Sequence, residues 1–253
     1  MIEKLSDKNV FRQRRNDAWT RNTSYWLSEP LRHVTDTGSY ISERTRSFIG
    51  AELDHQFVIL DMGCGSCWLL ESLLAMELDF IYIGLDNNSK FVDAATERYA
   101  DIENASFVLA DLDMRVSIPQ KVDLVVNAFN FFELASLDDG MNNTASWLRP
   151  GGTLFMSTID KTYLILALSK DWDEFHENLR IYQDTPGVKF DFQKIDLGRG
   201  LSQELEYPSV LYSTQDYITA AKKAGLQFAS YSEQAFTGRA IPKIYCHLEF
   251  TNS

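Results

Sequence analysis

The chain has 253 residues and a formal net charge of −12. That length can bury one substantial core with an elaborated cap, and the acidity argues against nucleic acid as a main partner, because phosphate contact needs a basic footprint. Three cysteines do not make a disulfide framework. The amino terminus lacks an apolar secretory core and no run approaches a membrane span, which points to a cytoplasmic protein with no membrane partner.

Residues 1–32 depart from the acidic average. Seven cations, among them Arg12, Arg14, Arg15 and Arg32, face four acids for a net of +3, leaving −15 for the remainder. The pattern over 9–27 is helical and amphipathic, with Phe11, Ala18, Trp19, Asn22 and Trp26 along one side and the arginines mostly on the other. A solvated arginine face is favoured over an anion-binding one. A second helix is expected from Ser39 to Ala51, carrying Ile41, Thr45, Phe48 and Ile49.

The most informative segment follows. Val58-Ile59-Leu60-Asp61 is an apolar run ending in an acid, read as a buried parallel strand. Gly63-Cys64-Gly65 then gives a turn whose backbone a ligand can approach closely, and Leu69 to Met76 opens a helix. A dinucleotide fingerprint needs a small residue where this chain has Trp68. Asp61, two residues before the first glycine, would repel a pyrophosphate but suit an ammonium group or a fixed water. No Lys-Ser/Thr pair follows, so a P-loop is excluded. A cationic adenosine derivative without phosphates fits, and S-adenosylmethionine is that ligand.

Further strands repeat the motif. Phe80 to Asp86 ends in an acid 21 residues after Gly65, the distance at which dinucleotide folds place a ribose carboxylate. Ser106 to Asp111 ends in another acid, and Val122 to Phe129 contains Asp123-Leu124-Val125-Val126. Trp147 to Leu154 holds the turn Pro150-Gly151-Gly152. Any one acid could merely close its strand. Three in succession agree with ligand binding at the carboxyl ends of a parallel sheet. The alternation to Thr158 reads βαβαβαβαβ, a doubly wound α/β sheet. Near the end a helix from Gln215 to Ala224 precedes strands Leu226 to Ser232 and Lys243 to Phe250.

These ordered motifs over roughly 57–158 resemble the class I S-adenosylmethionine-dependent methyltransferases of the small-molecule type. The resemblance implies a Rossmann-like seven-stranded sheet, mostly parallel with the last strand antiparallel. It puts Asp111 and Leu112 at the adenine edge and substrate-facing residues just after the fourth strand, Asn127 to Glu133. Tyr25-Trp26 followed by Arg32 is similar to the aromatic pair and arginine preceding the core of ubiquinone-type O-methyltransferases, where the arginine can meet the cofactor carboxylate; Arg44 and Arg46 compete for that role. The expected cofactor set is Asp61, Gly63, Cys64, Gly65, Asp86, Asn87, Asp111, Leu112, Asn127 and Arg32. Tyr25, Trp26, Asn130 and Phe131 are expected to face the substrate.

The expected organisation is a helical lid at 1–55 and a methyltransferase domain at 56–253. An insert at 160–214 is longer than a direct crossover needs. Its opening helix carries the stripe Leu164, Leu168, Trp172, Phe175 and Leu179, and Val188 to Leu197 has strand character after Pro186-Gly187. Insert and lid together would roof the substrate.

The expected reaction is methyl transfer to an oxygen or nitrogen of a small-molecule metabolite, with an aromatic acceptor favoured. A base is needed only for a hydroxyl or protonated amine. The candidates are Glu133, more readily a helix cap, together with His33 and His176. The Asp/Asn-Pro-Pro-aromatic motif of adenine amino-methylating enzymes is absent. Cys64-x-x-Cys67 resembles a redox or metal pair but falls inside the glycine loop without further ligands, so no metal is expected. Two other classes stay open: a non-catalytic S-adenosylmethionine-binding partner or sensor, and a nicotinamide oxidoreductase. The oligomeric state is open, a homodimer included.

Overall fold

The computed structural model describes residues 7–27, 36–49, 55–169, 171–183, 190–195, 205–236 and 243–253. Two helices, α1 (Lys8–Leu27) and α2 (Asp36–Ile49), precede β1 (Val58–Met62), α3 (Trp68–Leu74), β2 (Ile81–Asp86), α4 (Ser89–Arg98) and β3 (Ala105–Leu109). Then come β4 (Val122–Ala128), a 3-10 turn at Phe131–Glu133, α5 (Leu137–Trp147) and β5 (Leu148–Thr158). The insert supplies α6 (Lys161–Leu168), α7 (Trp172–Gln183), β6 (Phe190–Ile195) and β7 (Leu205–Val210). The chain closes with α8 (Thr214–Lys223), β8 (Leu226–Phe236) and β9 (Lys243–Asn252).

Seven strands form one sheet in the order β3-β2-β1-β4-β5-β9-β8. Strands β3, β2, β1, β4 and β5 pair in parallel, and β9 runs antiparallel to both β5 and β8. The expected architecture is therefore present. Its strand order reverses between β1 and β4, and such a switch point opens a crevice at the carboxyl ends.

Alternation of side chains divides β1 between two cores. Val58, Leu60 and Met62 join Trp147 of α5 and Tyr217 of α8 on one face. Ile59 joins Leu69, Leu70 and Leu73 of α3 and Ile41 of α2 on the other. Each such side chain, fully withdrawn from water, contributes roughly 1.5–3 kcal/mol. Covered on both faces, β1 is apolar throughout except for Asp61, as a buried parallel strand requires.

The outer face of β9 anchors α2. Arg44 donates to Glu249 through Nε at 2.6 Å and Nη2 at 2.8 Å, and the Tyr40 and His247 rings lie 4.3 Å apart. Arg46 faces Glu43 at 3.3 Å.

The insert differs from expectation. The apolar stripe belongs to two helices, because Ser169 turns to an extended conformation after α6 and Asp171 accepts from the Glu174 amide to start α7. Trp172, expected in the stripe, is 57% exposed. The expected strand pairs as β6 with β7, which carries no clear alternation of its own. Pro186-Gly187, expected before that strand, lies outside the described residues.

Candidate active site

The glycine loop is held from beneath by β2. The amides of Gly63 and Cys64 both donate to the Leu85 carbonyl at 2.8 Å, and the Gly65 amide donates to Asp86 Oδ2 at 2.9 Å. Gly63 and Gly65 have φ of +78° and +49°, in the left-handed region that favours glycine. Their roles differ. A Cβ on Gly63 would lie 2.4 Å from Asn130 Nδ2, whereas one on Gly65 would meet no atom within 4 Å. Gly63 is thus glycine for the fold, and Gly65 presents bare backbone to the crevice.

Two strand-tip acids border this loop. Asp86 accepts from the Gly65 amide and, through Oδ1, from the Asn88 amide at 2.9 Å. Burial raises its pKa, and these amides with the nearby Arg15 oppose the rise. Asp61 lies beneath the loop and accepts from the Tyr82 hydroxyl at 2.6 Å. Burial lifts its carboxyl to about 7, against the Tyr82 hydrogen bond and with help from the Asp86 charge.

Helix α1 crosses these strand ends, and here the expectation of a solvated arginine face is wrong. Arg15 is 2% exposed; its Nη1 donates to Asp113 Oδ2 at 2.7 Å and to the Glu133 carbonyl at 3.0 Å. Arg15 Nη2 reaches Asp111 Oδ1 at 3.2 Å, and Arg12 Nη2 donates to Asp111 Oδ2 at 2.7 Å. Burial alone would raise the Asp111 pKa, but the two guanidinium groups hold it below the usual carboxylate value. The physical reason for the reversal is local: a cluster of strand-tip acids needs countercharge, and α1 supplies it from positions i and i+3 of one face. Further along α1, Asn16 accepts from Asn87 Nδ2 at 2.8 Å, Thr23 Oγ1 accepts from Asn88 Nδ2 at 2.9 Å, and Trp19 Nε1 donates to Glu133 Oε2 at 2.7 Å.

Beyond β4 the chain turns sharply. Phe129 adopts φ of +65°, unusual for a bulky residue and of the kind concentrated at functional sites. Its amide donates to the Ser157 carbonyl at 2.9 Å, and its ring lies 4.9 Å from that of Tyr245 on β9. Asn127 Oδ1 accepts from the Asn130 and Phe131 amides at 3.2 and 3.1 Å. Asn127 Nδ2 and Asn130 Oδ1 are buried with no hydrogen-bond partner among the described residues.

Glu133 is not the helix cap favoured from sequence. Ser136 caps α5 by accepting from Asp139, while the Glu133 carboxyl is buried against Trp19. Burial raises its pKa to about 8 despite Trp19 and Arg15. Phe131, expected to face substrate, has no exposed surface and packs in the core with Leu134 and Met141. Leu112 is likewise core, beside the acids it was expected to accompany.

Other candidates lie elsewhere. Arg32 and His33, and the side chain of Tyr25, fall outside the described residues. Trp26 lies on α1 with its ring 6.2 Å from that of Trp19. His176 is exposed on α7 and its ring is 5.4 Å from that of Phe175, apart from the strand tips. Arg44 and Arg46 are committed to Glu249 and Glu43. Cys64, Cys67 and Cys246 are free and buried, and no metal-holding cluster occurs among the described residues. No described helix is long and apolar enough to cross a membrane.

Sequence reasoning missed Arg12, Arg15, Asn16, Asp113, Tyr82, Tyr245 and His247. Only Asp113 carried a local signal, as a second acid two residues past a strand-tip acid. His247 is buried, with Nδ1 2.8 Å from Ser157 Oγ and Nε2 without a described partner; burial lowers its pKa to about 4.

The family described as a methyltransferase domain matches residues 59–152, from β1 to Gly151-Gly152, which lie within β5 and not in the expected turn. Over those residues the chain is therefore similar to a methyltransferase domain. A ubiquinone biosynthesis O-methyltransferase of Sinorhizobium fredii is 29% identical over 112 residues, so the chain spans 44% of that relative's length. A malonyl-[acyl-carrier protein] O-methyltransferase of Ilyobacter polytropus is 25% identical over 72% of this chain and 70% of its own. The crystal structure of the N-methyltransferase NodS from Bradyrhizobium japonicum, in complex with S-adenosyl-L-homocysteine, superposes with a TM-score of 0.57 at 14% identity. That superposition covers 92% of this chain and 97% of NodS, and shows a shared fold.

The residues at the methyltransferase crevice fit S-adenosylmethionine. Gly65 leaves space above its backbone, and Asp86 retains lone pairs for two vicinal hydroxyls. The unmatched donor of Asn127 and the unmatched acceptor of Asn130 suit the carboxylate and ammonium of an amino-acid moiety.

Proposed function

We propose that this chain transfers a methyl group from S-adenosylmethionine to an oxygen or nitrogen of a small-molecule metabolite. The observation that carries the reading is the strained Phe129-Asn130 segment. It presents one asparagine against the glycine loop and one aromatic ring against Tyr245, at the switch point between β1 and β4. The names of the O- and N-methyltransferases to which the chain is similar support an oxygen or nitrogen acceptor, and the ubiquinone biosynthesis name supports a small-molecule one.

When bound, the cofactor supplies an activated sulfonium methyl, so the protein chiefly aligns a nucleophile behind it. Asp86 and the Gly65 amide fix the nucleoside end, and Asn127 and Asn130 fix the amino-acid end. Asp111 lies at the adenine edge with both carboxylate oxygens already engaged by arginine, so an adenine amino group would share the remaining lone pairs. The flat faces of Phe129 and Tyr245 would hold an aromatic acceptor. Glu133 in its carboxylate form is the group suited to receive a proton from a hydroxyl or ammonium acceptor, and because burial raises its pKa to about 8 that form is available toward alkaline pH. Residues 1–55 serve as a lid through α1, and the insert at 160–214 completes the roof.

The test is transfer of label from methyl-labelled S-adenosylmethionine into a metabolite mixture, with product identified by mass. Saturable binding of S-adenosyl-L-homocysteine without transfer to any acceptor would favour the sensor reading instead.

A further inference from the structure

Three acids end three successive strands, and the fold treats their charges differently. Asp111 faces two guanidinium groups, and Asp86 accepts from two backbone amides. Asp61 has neither. It is 3% exposed, it accepts from one phenol, Tyr82, and no ion pair to it occurs among the described residues. Among the described residues, the titratable groups around it are Tyr82 and Asp86 on β2 and the Cys64 and Cys67 thiols of the loop, none of them a cation. Arg15 acts on Asp86, Asp111 and Glu133. A buried carboxylate without countercharge is unfavourable and is relieved by taking a proton.

We propose that Asp61 holds a proton in the ligand-free protein and surrenders it when the α-ammonium group of the cofactor comes up against the glycine loop, so that cofactor uptake releases a proton. The inference rests on the S-adenosylmethionine reading of this crevice. In the step, the Asp61 O–H bond breaks, the electron pair stays on the carboxylate, and the proton passes to solvent. The ligand cation replaces the proton as the charge that neutralises the acid. The Tyr82 hydroxyl, a donor to either form, stays in place. Cofactor affinity then depends on pH through a residue that need not touch the transferred methyl.

The experiment is calorimetric titration with S-adenosyl-L-homocysteine at about pH 6, in buffers of different ionisation enthalpy. About one proton is expected to leave per ligand bound, and affinity should weaken about tenfold for each pH unit below 7. 5′-Methylthioadenosine, which keeps the nucleoside and thioether but has no ammonium, should bind without release. Asp61→Asn should bind S-adenosyl-L-homocysteine more weakly and release no proton. Glu133→Gln should release as the unaltered protein does, which separates Asp61 from the other buried carboxyl nearby. Release of no proton, equal release with 5′-methylthioadenosine, or undiminished release from Asp61→Asn would each overturn the proposal. Should Asp61→Asn not fold, the comparison of the two ligands on the unaltered protein still decides. Absence of any binding heat for both ligands would instead remove the cofactor reading itself.

Discussion

Arg15 Nη1 and Asp113 Oδ2 lie 2.7 Å apart across 98 residues of sequence, with both side chains almost fully buried. This contact, from the first helix to the loop after β3, fastens α1 over the carboxyl ends of the sheet. It also gives the positive amino-terminal segment a specific partner in an acidic chain.

Removing one member of such a pair leaves the other charge buried and unmatched. Arg15→Met is expected to destabilise the protein by about 3–5 kcal/mol, read from urea denaturation. Arg12, a quarter exposed, should matter less: Arg12→Met should cost about 1 kcal/mol or less. Equal losses for the two would mean that α1 is not held in the way described.

The two glycines of the loop should separate fold from ligand. Gly63→Ala places a Cβ into Asn130 at a positive φ and should lower the melting temperature with or without ligand. Gly65→Ala has room, so its cost should stay near the left-handed penalty of about 1–2 kcal/mol. Its affinity for S-adenosyl-L-homocysteine should nonetheless fall sharply, since the added methyl occupies the ligand's side of the loop. Thermal shifts measured with and without ligand distinguish the two patterns.

Asp86→Ala should weaken S-adenosyl-L-homocysteine binding by roughly 1.5–3 kcal/mol, the usual loss for hydrogen bonds to a charged group. Part of that loss comes through the Gly65 amide, which Asp86 orients. Calorimetry showing unchanged affinity would remove the ribose assignment.

The Glu133 carboxyl makes stability depend on pH. Its pKa in the folded protein is about 8 against an ordinary 4.5, so the native state binds the extra proton between those values. Its contribution is therefore fully present below about 4.5 and is lost as pH rises toward 8, at up to roughly 1.4 kcal/mol per pH unit. Glu133→Gln lacks this loss and should gain stability relative to the unaltered protein as pH increases through that window. Parallel stability–pH curves for the two proteins, measured by urea denaturation, would contradict the buried, protonated state.

Much of this fold was legible because its signals are local. A buried parallel strand must be apolar along its length, so Val58 to Leu60 announced β1 without help from the rest of the chain. The glycines at 63 and 65 and the acids Asp61, Asp86 and Asp111 marked the carboxyl ends of three strands. The insert was less readable. An apolar period of three or four residues continues across the break at Ser169, so periodicity alone joined two helices into one.

The sequence by itself determined the element order from β1 to β5, the glycine loop and the acids that border it, since each depends on conformational preference or burial within a few residues. Only the tertiary structure decided what those acids meet. Arg12 and Arg15 look like solvent-facing charges until α1 is laid across β3 and β4, and Glu133 looks like a cap until Trp19 arrives from 114 residues away. Asp61 looks like its two counterparts until they are seen to be compensated and it is not. Charge compensation in a buried site is set by distance in space, and distance in space is the quantity that a linear pattern does not carry.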